Sequence, residues 1–223
     1  MKYLILNQIS SLLFICTIFL TVSSCSNNKS NISGNDDNLQ SVILPLNEGN
    51  IWSFDVSRYN ATGGVIEKYS IYNSIGSDTI ISNVKWYSMY FYDDNSLEKY
   101  ALLKNRVDGL WRRLYDESNA SFKSEELFLK YPANVDDYYL IENDTIMVTV
   151  ISTDTTITVP GGTFNCYLYR FTYELINSYI ISDLYFAPEI GWIKTDNYID
   201  PETITIWCYL DNQWVLKYNL IND

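Results

Sequence analysis

From Ile51 to Leu220, apolar and polar residues alternate with a period of two, in short runs broken by turn residues. That period marks a strand with one face buried, because successive side chains leave a pleated backbone on opposite sides. The runs IWSFDVSRY, VIEKYSIYN, VKWYSMYFY, LEKYALLK, GLWRRLY, ELFLKYP, TIMVTVIST, TTITV, TFNCYLYRFTYEL, YIISDLYFA, GWIKTD, TITIWCYL and QWVLKYNL are the predicted strands. They are rich in aromatic and β-branched residues, which suit a pleated, half-buried surface. Between them lie Asn60-Ala-Thr-Gly-Gly64, Asp108-Gly109, Pro160-Gly-Gly162 and Asp211-Asn212, residues that tolerate positive φ or preset a tight reversal. No stretch of a dozen residues keeps a 3.6-residue period, although Asp116 to Leu129 has room for a short helical turn. The pattern predicts an all-β fold, a sandwich or a barrel-like sheet.

The stretch Val159-Pro-Gly-Gly-Thr-Phe-Asn-Cys166 invites a catalytic interpretation, with glycines to cradle a phosphate and a cysteine to attack. A phosphate loop needs a lysine and a helix N-terminus after it, and the sequence offers neither. Ile157 and Val159 alternate with Thr156 and Thr158, Pro160 removes a ladder donor, and alternation resumes at Thr163. The stretch reads as a hairpin connection.

Ahead of the strands, the first residues place Lys2 before an apolar run around Leu12 to Val22. Small residues follow, and then Cys25. This is the order of a secretory signal, and the run is short for a membrane-spanning helix. Val22-Ser23-Ser24-Cys25 resembles the lipobox of bacterial lipoproteins, which implies cleavage after residue 24 and lipidation of Cys25. Residues 1–24 are thus expected to be a signal peptide, and residues 25–41 a lipidated cysteine with a Ser-, Asn- and Gly-rich tether reaching on the order of 20 Å. Residues 42–223 form one expected domain, long enough to bury a core. The expected location is the cell envelope, with the membrane as partner through the anchor.

With 47% hydrophobic and 19% charged residues, the chain has the composition of a folded globular protein. Its net charge of −12 becomes −13 once Lys2 leaves with the signal peptide. Such acidity repels nucleic acid and anionic head groups, so neither is expected at the domain surface. The chain has no histidine, which removes Ser-His-Asp and Cys-His machinery and histidine-containing zinc sites. Ser82-Asn-Val-Lys85 matches S-x-x-K in spacing, but that chemistry needs the serine at a helix N-terminus, and the flanking pattern is that of a strand. Paired acids at Asp36-Asp37, Asp93-Asp94, Glu125-Glu126 and Asp136-Asp137 fit no calcium-loop spacing and suit solvated turns. No catalytic residue, metal site or cofactor is expected.

Cys166 and Cys208 are the cysteines of the expected domain, either bridged to each other or held as packed thiols. Alternation would set Cys166 on a half-polar face with Leu168, Arg170, Thr172 and Glu174. Tyr167, Tyr169, Phe171 and Tyr173 form an aromatic stripe on the other face, able to line a ligand cavity or to fill a sheet core. Asp78-Thr-Ile80, Asp144-Thr-Ile146 and Asp154-Thr-Thr156 resemble the O-glycosylation acceptor pattern of Bacteroidota.

Three motifs together resemble an uncharacterised family of bacterial envelope lipoproteins of Bacteroidota type. They are Leu44-Pro-Leu-Asn-Glu-Gly-Asn-Ile-Trp52, Val159-Pro-Gly-Gly-Thr-Phe-Asn-Cys166 and Tyr185-Phe-Ala-Pro-Glu-Ile-Gly-Trp-Ile-Lys194. Gly161 stands where the family more often has alanine, and Glu189 where it often has glycine. The resemblance implies a single antiparallel sheet curved into a half-barrel, similar to lipoprotein carriers, with no established activity. Surface-exposed lipoproteins of that group resemble one another in carrying acids directly after the cysteine. Ser26-Asn-Asn-Lys29 lacks them, which points to an outer-membrane protein facing the periplasm, with the cell surface as the alternative. A half-barrel has a concave face to fill. The leading expectation is therefore a non-catalytic binding or carrier role for an apolar or amphipathic ligand. A scaffold with a self-filled core and a carbohydrate-binding module are the alternatives.

Overall fold

The computed structural model describes residues 41–92, 97–175, 178–201 and 209–220, and its regular structure is entirely β. The strands are β1 (Ile51–Tyr59), β2 (Val65–Ile81), β3 (Val84–Tyr92), β4 (Leu97–Arg106), β5 (Gly109–Asp116), β6 (Ser121–Phe122) and β7 (Glu126–Lys130). There follow β8 (Tyr138–Ile141), β9 (Ile146–Val159), β10 (Gly162–Leu175), β11 (Ser178–Ala187), β12 (Gly191–Pro201) and β13 (Tyr209–Leu220). They form one antiparallel sheet in the order β6-β5-β4-β3-β2-β1-β13-β12-β11-β10-β9-β8, with β7 pairing β5 beside β6. β1 lies in the middle. The chain meanders outward from it through β2 to β7, then returns from the far end through β8 to β13, which pairs with β1. The sheet curves without closing into a barrel, a half-barrel rather than a sandwich.

Two tyrosines stitch the ends that approach each other. The Tyr139 hydroxyl of β8 donates to the Phe128 carbonyl at 2.8 Å and accepts from the Lys130 amide at 3.1 Å. The Tyr169 hydroxyl of β10 donates to the Lys130 carbonyl at 2.8 Å. The outer edge of β7 is thus satisfied by phenols where a closed barrel would have a strand. Arg112 of β5 adds an ionic clasp, its Nε bonding Glu126 at 2.8 Å and a terminal nitrogen bonding Glu142 at 3.0 Å in the β8–β9 turn.

The turns follow the sequence with one exception. Asn60 closes the β1–β2 connection by accepting from Thr62 and Gly64 amides, and Asp108-Gly109 and Pro160-Gly161 reverse the chain as expected. Asp211-Asn212, expected as a turn, lies inside β13. There Asn212 pairs with Arg58 and Asn197, and its side-chain carbonyl accepts from the Asn197 amide, a cross-strand bond that holds the backbone extended. TIMVTVIST and TTITV, expected as two strands, are continuous in β9. The helical turn allowed after Asp116 is an Asx turn instead. The Asp116 carboxylate accepts from the Ser118 amide and hydroxyl and from Asn119, bonds that lower its pKa.

Gly109 opens β5 just after the turn at φ +140°, and a Cβ there would lie 2.0 Å from the Leu129 carbonyl oxygen. Only glycine fits both demands. Gly109→Ala is expected to lower stability by about 2–4 kcal/mol, through a clash that parts β5 from β7. Urea denaturation followed by circular dichroism checks this, and a change below about 0.5 kcal/mol contradicts it.

Candidate functional site

The concave face is the side on which the curved sheet collects its large apolar groups. Its fully buried members include Trp52, Phe54, Trp192, Phe186 and Tyr169. The rings touch in a chain that crosses the interior. Phe91 meets Trp214 at 6.4 Å between centroids, Trp214 stacks on Trp192 at 5.2 Å, and Trp192 stacks on Phe186 at 6.1 Å. Phe186 meets Tyr169 edge-on at 6.2 Å, Tyr169 stacks on Tyr167 at 6.2 Å, and Tyr167 meets Tyr131 at 5.3 Å. Phe54 packs beside Trp192 at 5.1 Å. The chain runs from β3 to the residue just after β7. Each offset or edge-on pair adds about 0.5–1.5 kcal/mol beyond the area it buries.

Two segments cover this face at the end where β1 begins. Residues 41–46 cross it outside the sheet, burying Ile43, Leu44 and Leu46. Their carbonyls are taken up by neighbours: Val42 by the Glu189 amide at 2.7 Å, Leu44 by Asn105 Nδ2 at 2.7 Å and Pro45 by Asn50 Nδ2 at 3.1 Å. The second cover is the β9–β10 hairpin. Pairing of β12 with β13 stops at Lys194 opposite Val215, and beyond it the Leu216 carbonyl accepts from the Gly161 amide at 2.9 Å. A Cβ on Gly161 would lie 3.2 Å from that oxygen, so an alanine there would require Leu216 to give way. The stretch Val159–Cys166 is a hairpin whose tip docks across the sheet.

The docking depends on irregular pairing between β9 and β10, where the register shifts between Cys166 and Leu168 and again between Leu168 and Tyr169. The shifts change which residues point inward. Cys166 is buried in the core, not on the half-polar face that plain alternation assigns to it. Tyr169 and Phe171 are buried, while Tyr167 and Tyr173 are half-buried and pack against the same core. The four aromatics therefore share the concave face as the sequence suggests. Cys208 and Cys25 lie outside the described residues.

The Cys166 thiol has no bridge among the described residues, and burial pushes its pKa up to about 12. At pH 8 that leaves about one thiolate in ten thousand. In a Cys208→Ser background, the native protein is expected to resist iodoacetamide at pH 8 for hours and to be alkylated at once in urea. Rapid native labelling would identify a reactive thiol instead.

The other candidate chemistry resolves into structure. Ser82 and Asn83 are the two residues of the β2–β3 turn, both with positive φ, so S-x-x-K here is a hairpin and not a helix start. Lys85 is raised in pKa, chiefly by its hydrogen bond with Tyr87, the opposite of what a catalytic base requires. Glu125 pairs with Arg106, Glu126 with Arg112, and Asp137 with Lys130. Among the described residues, no three carboxylates or thiols converge as a metal site would need. Of the three acceptor-like threonines, Thr145 is exposed in the β8–β9 turn, whereas Thr79 and Thr155 are half-buried in strands.

Pattern reasoning missed a polar rung on the concave face. Ser182, Asn197 and Asn212 face inward on adjacent strands and are bonded in series, the Ser182 hydroxyl to the Asn197 carbonyl and the Asn197 amide to Asn212 at 2.6 Å. Arg58 and Glu67 extend the rung across β1 and β2 as an exposed ion pair. Elsewhere on this face Trp52 Nε1, both polar atoms of Asn73 and Thr195 Oγ1 are buried with no hydrogen-bond partner among the described residues.

No family model matches the sequence, and no curated protein matches it either. Two solved structures resemble it at a distance. One, described as a candidate lipoprotein from Parabacteroides distasonis, is 14% identical with a TM-score of 0.47, the alignment covering 81% of this chain and 99% of that one. The other, described as a candidate exported protein with a YmcC-like fold from Bacteroides fragilis, is 12% identical with a TM-score of 0.42, covering 81% and 100%. Both likenesses are too remote to decide anything about this chain.

Proposed function

We propose that this protein is a lipid-anchored, non-catalytic component of the bacterial envelope whose domain acts as an interaction scaffold. One observation carries the reading: the aromatic chain from Phe91 to Tyr131 occupies the concave face with the protein's own side chains. Rings that a carrier would present to a ligand are spent on one another. The lipobox at Val22–Cys25 supports the anchor, and the acid-free start of the tether supports the periplasmic face of the outer membrane. In the native host, labelled palmitate is expected to enter the wild type and not Cys25→Ser. Titrating the domain from Ser26 onward with N-phenylnaphthylamine is expected to give no saturable one-to-one rise in fluorescence. A saturable rise would contradict the scaffold reading.

That contrary outcome would favour the second reading, a carrier for an apolar or amphipathic ligand. Trp52 Nε1 and the Asn73 amide, on paired residues, and Thr195 Oγ1 farther along the sheet support it, because polar groups of a ligand reaching them would offset about 1–3 kcal/mol of desolvation for each.

A further inference from the structure

We infer that the outer face of β8 and β9 is a docking surface for a protein partner that presents an apolar patch among basic residues. The inference rests on the scaffold reading and assigns it a surface. In β8 and β9, Tyr139, Ile141, Ile146, Val148 and Val150 point into the core. The intervening residues Tyr138, Leu140, Met147 and Ile151 therefore share the opposite face, and they are 74%, 51%, 41% and 36% exposed. Leu140 stands directly opposite Met147, and Tyr138 opposite Thr149, so the four side chains form one patch across the hairpin. Single exposed apolar residues are ordinary, but a contiguous group at the end of a sheet marks a contact surface or an aggregation hazard.

The surrounding charge selects the partner. Exposed acids flank the hairpin: Asp136, whose amide bonds the Val150 carbonyl, Asp144 in the β8–β9 turn, Asp154 three residues beyond Ile151 and Glu174 on the adjoining β10. The nearby cations are already answered: Arg170 bonds both oxygens of Asp183 at 2.7 Å, Lys130 pairs with Asp137 and Lys123 with Glu142. An apolar centre with an acidic border fits a surface carrying Lys and Arg around its own apolar groups. A second copy would bring acid against acid in a chain of net charge −12, and an anionic membrane surface would be repelled in the same way.

The test places the photo-crosslinker p-benzoylphenylalanine at Tyr138 in the full-length protein in its native host, with Tyr72 and Tyr218 as comparison positions. A discrete adduct with a different protein is expected from Tyr138. That protein, once purified, should bind the mature chain with an affinity that falls with salt. It should bind Leu140→Ser/Met147→Ser at least about tenfold more weakly, with the variant's circular dichroism unchanged. An adduct of twice the chain's mass, an adduct with lipid, or binding unmoved by the double variant overturns the assignment. Adducts from Tyr72 or Tyr218 with none from Tyr138 overturn this surface while leaving the scaffold reading in place. No protein adduct from any of the three positions overturns both.

Discussion

Replacing Trp192 with alanine is expected to cost about 3–5 kcal/mol, a large share of the roughly 5–15 kcal/mol that holds a domain of this kind together. Trp192 is fully buried and lies in contact with three rings, Phe54, Phe186 and Trp214. Its indole nitrogen donates to the Lys194 carbonyl at 2.8 Å, so the alanine also leaves an acceptor wanting. The cavity would open in the middle of the aromatic chain, where the three contacting rings are fixed to three different strands and cannot all close in. Trp111→Ala is the control. Trp111 is half-buried on the outer face, over the Arg106 guanidinium at 4.1 Å, and its loss is expected to cost about 1 kcal/mol. Urea midpoints of the two variants measure the difference, and equal costs would mean that the concave face does not carry the fold.

Arg112→Met is expected to cost about 3 kcal/mol. Arg112 points inward from β5, over the Phe128 ring at 4.5 Å, with its side chain only 2% exposed. Removing the guanidinium strands the Glu142 carboxylate, itself 9% exposed, beside an apolar neighbour, with Lys123 alone to answer it. The glutamates are less buried than the arginine, Glu126 being 23% exposed, and this keeps the cost at the lower end of the about 3–5 kcal/mol that breaking a buried pair costs. The triple variant Arg112→Met/Glu126→Gln/Glu142→Gln should recover part of the loss, because neutral amides tolerate the site better than stranded charges. Amide hydrogen exchange should show the single variant opening first at β7 and β8, whose approach the clasp spans. Exchange unchanged at those strands would contradict the role given to Arg112.

Much of this architecture is legible in the chain because strands with one buried face declare themselves by alternation. The long hairpins also mark their turns with Gly63-Gly64, Asp108-Gly109 and Pro160-Gly161. What alternation cannot show is register. The shifts around Leu168 depend on how β9 meets β10, and they decide that Cys166 enters the core. β8 is four residues long and too short to register as a period. The near-closure of the sheet rests on the hydroxyls of Tyr139 and Tyr169 meeting the backbone of β7, contacts between residues distant in sequence. One signal was present and readable. In Leu110-Trp-Arg-Arg-Leu114, Arg112 occupies the inward position between two buried leucines, and an inward arginine demands a buried acid. Alternation puts Tyr167 to Tyr173 on one face, but whether those rings meet a ligand or each other depends on the strands opposite.

Native and denaturing mass spectrometry of the domain from Ser26 onward, secreted to a periplasm without its anchor, tests the central claim most directly. A concave face filled by Phe91, Trp214, Trp192, Phe186 and Tyr169 predicts the same mass under both conditions. A bound mass that leaves on denaturation would contradict it, and would identify the protein as a carrier with that molecule as its cargo.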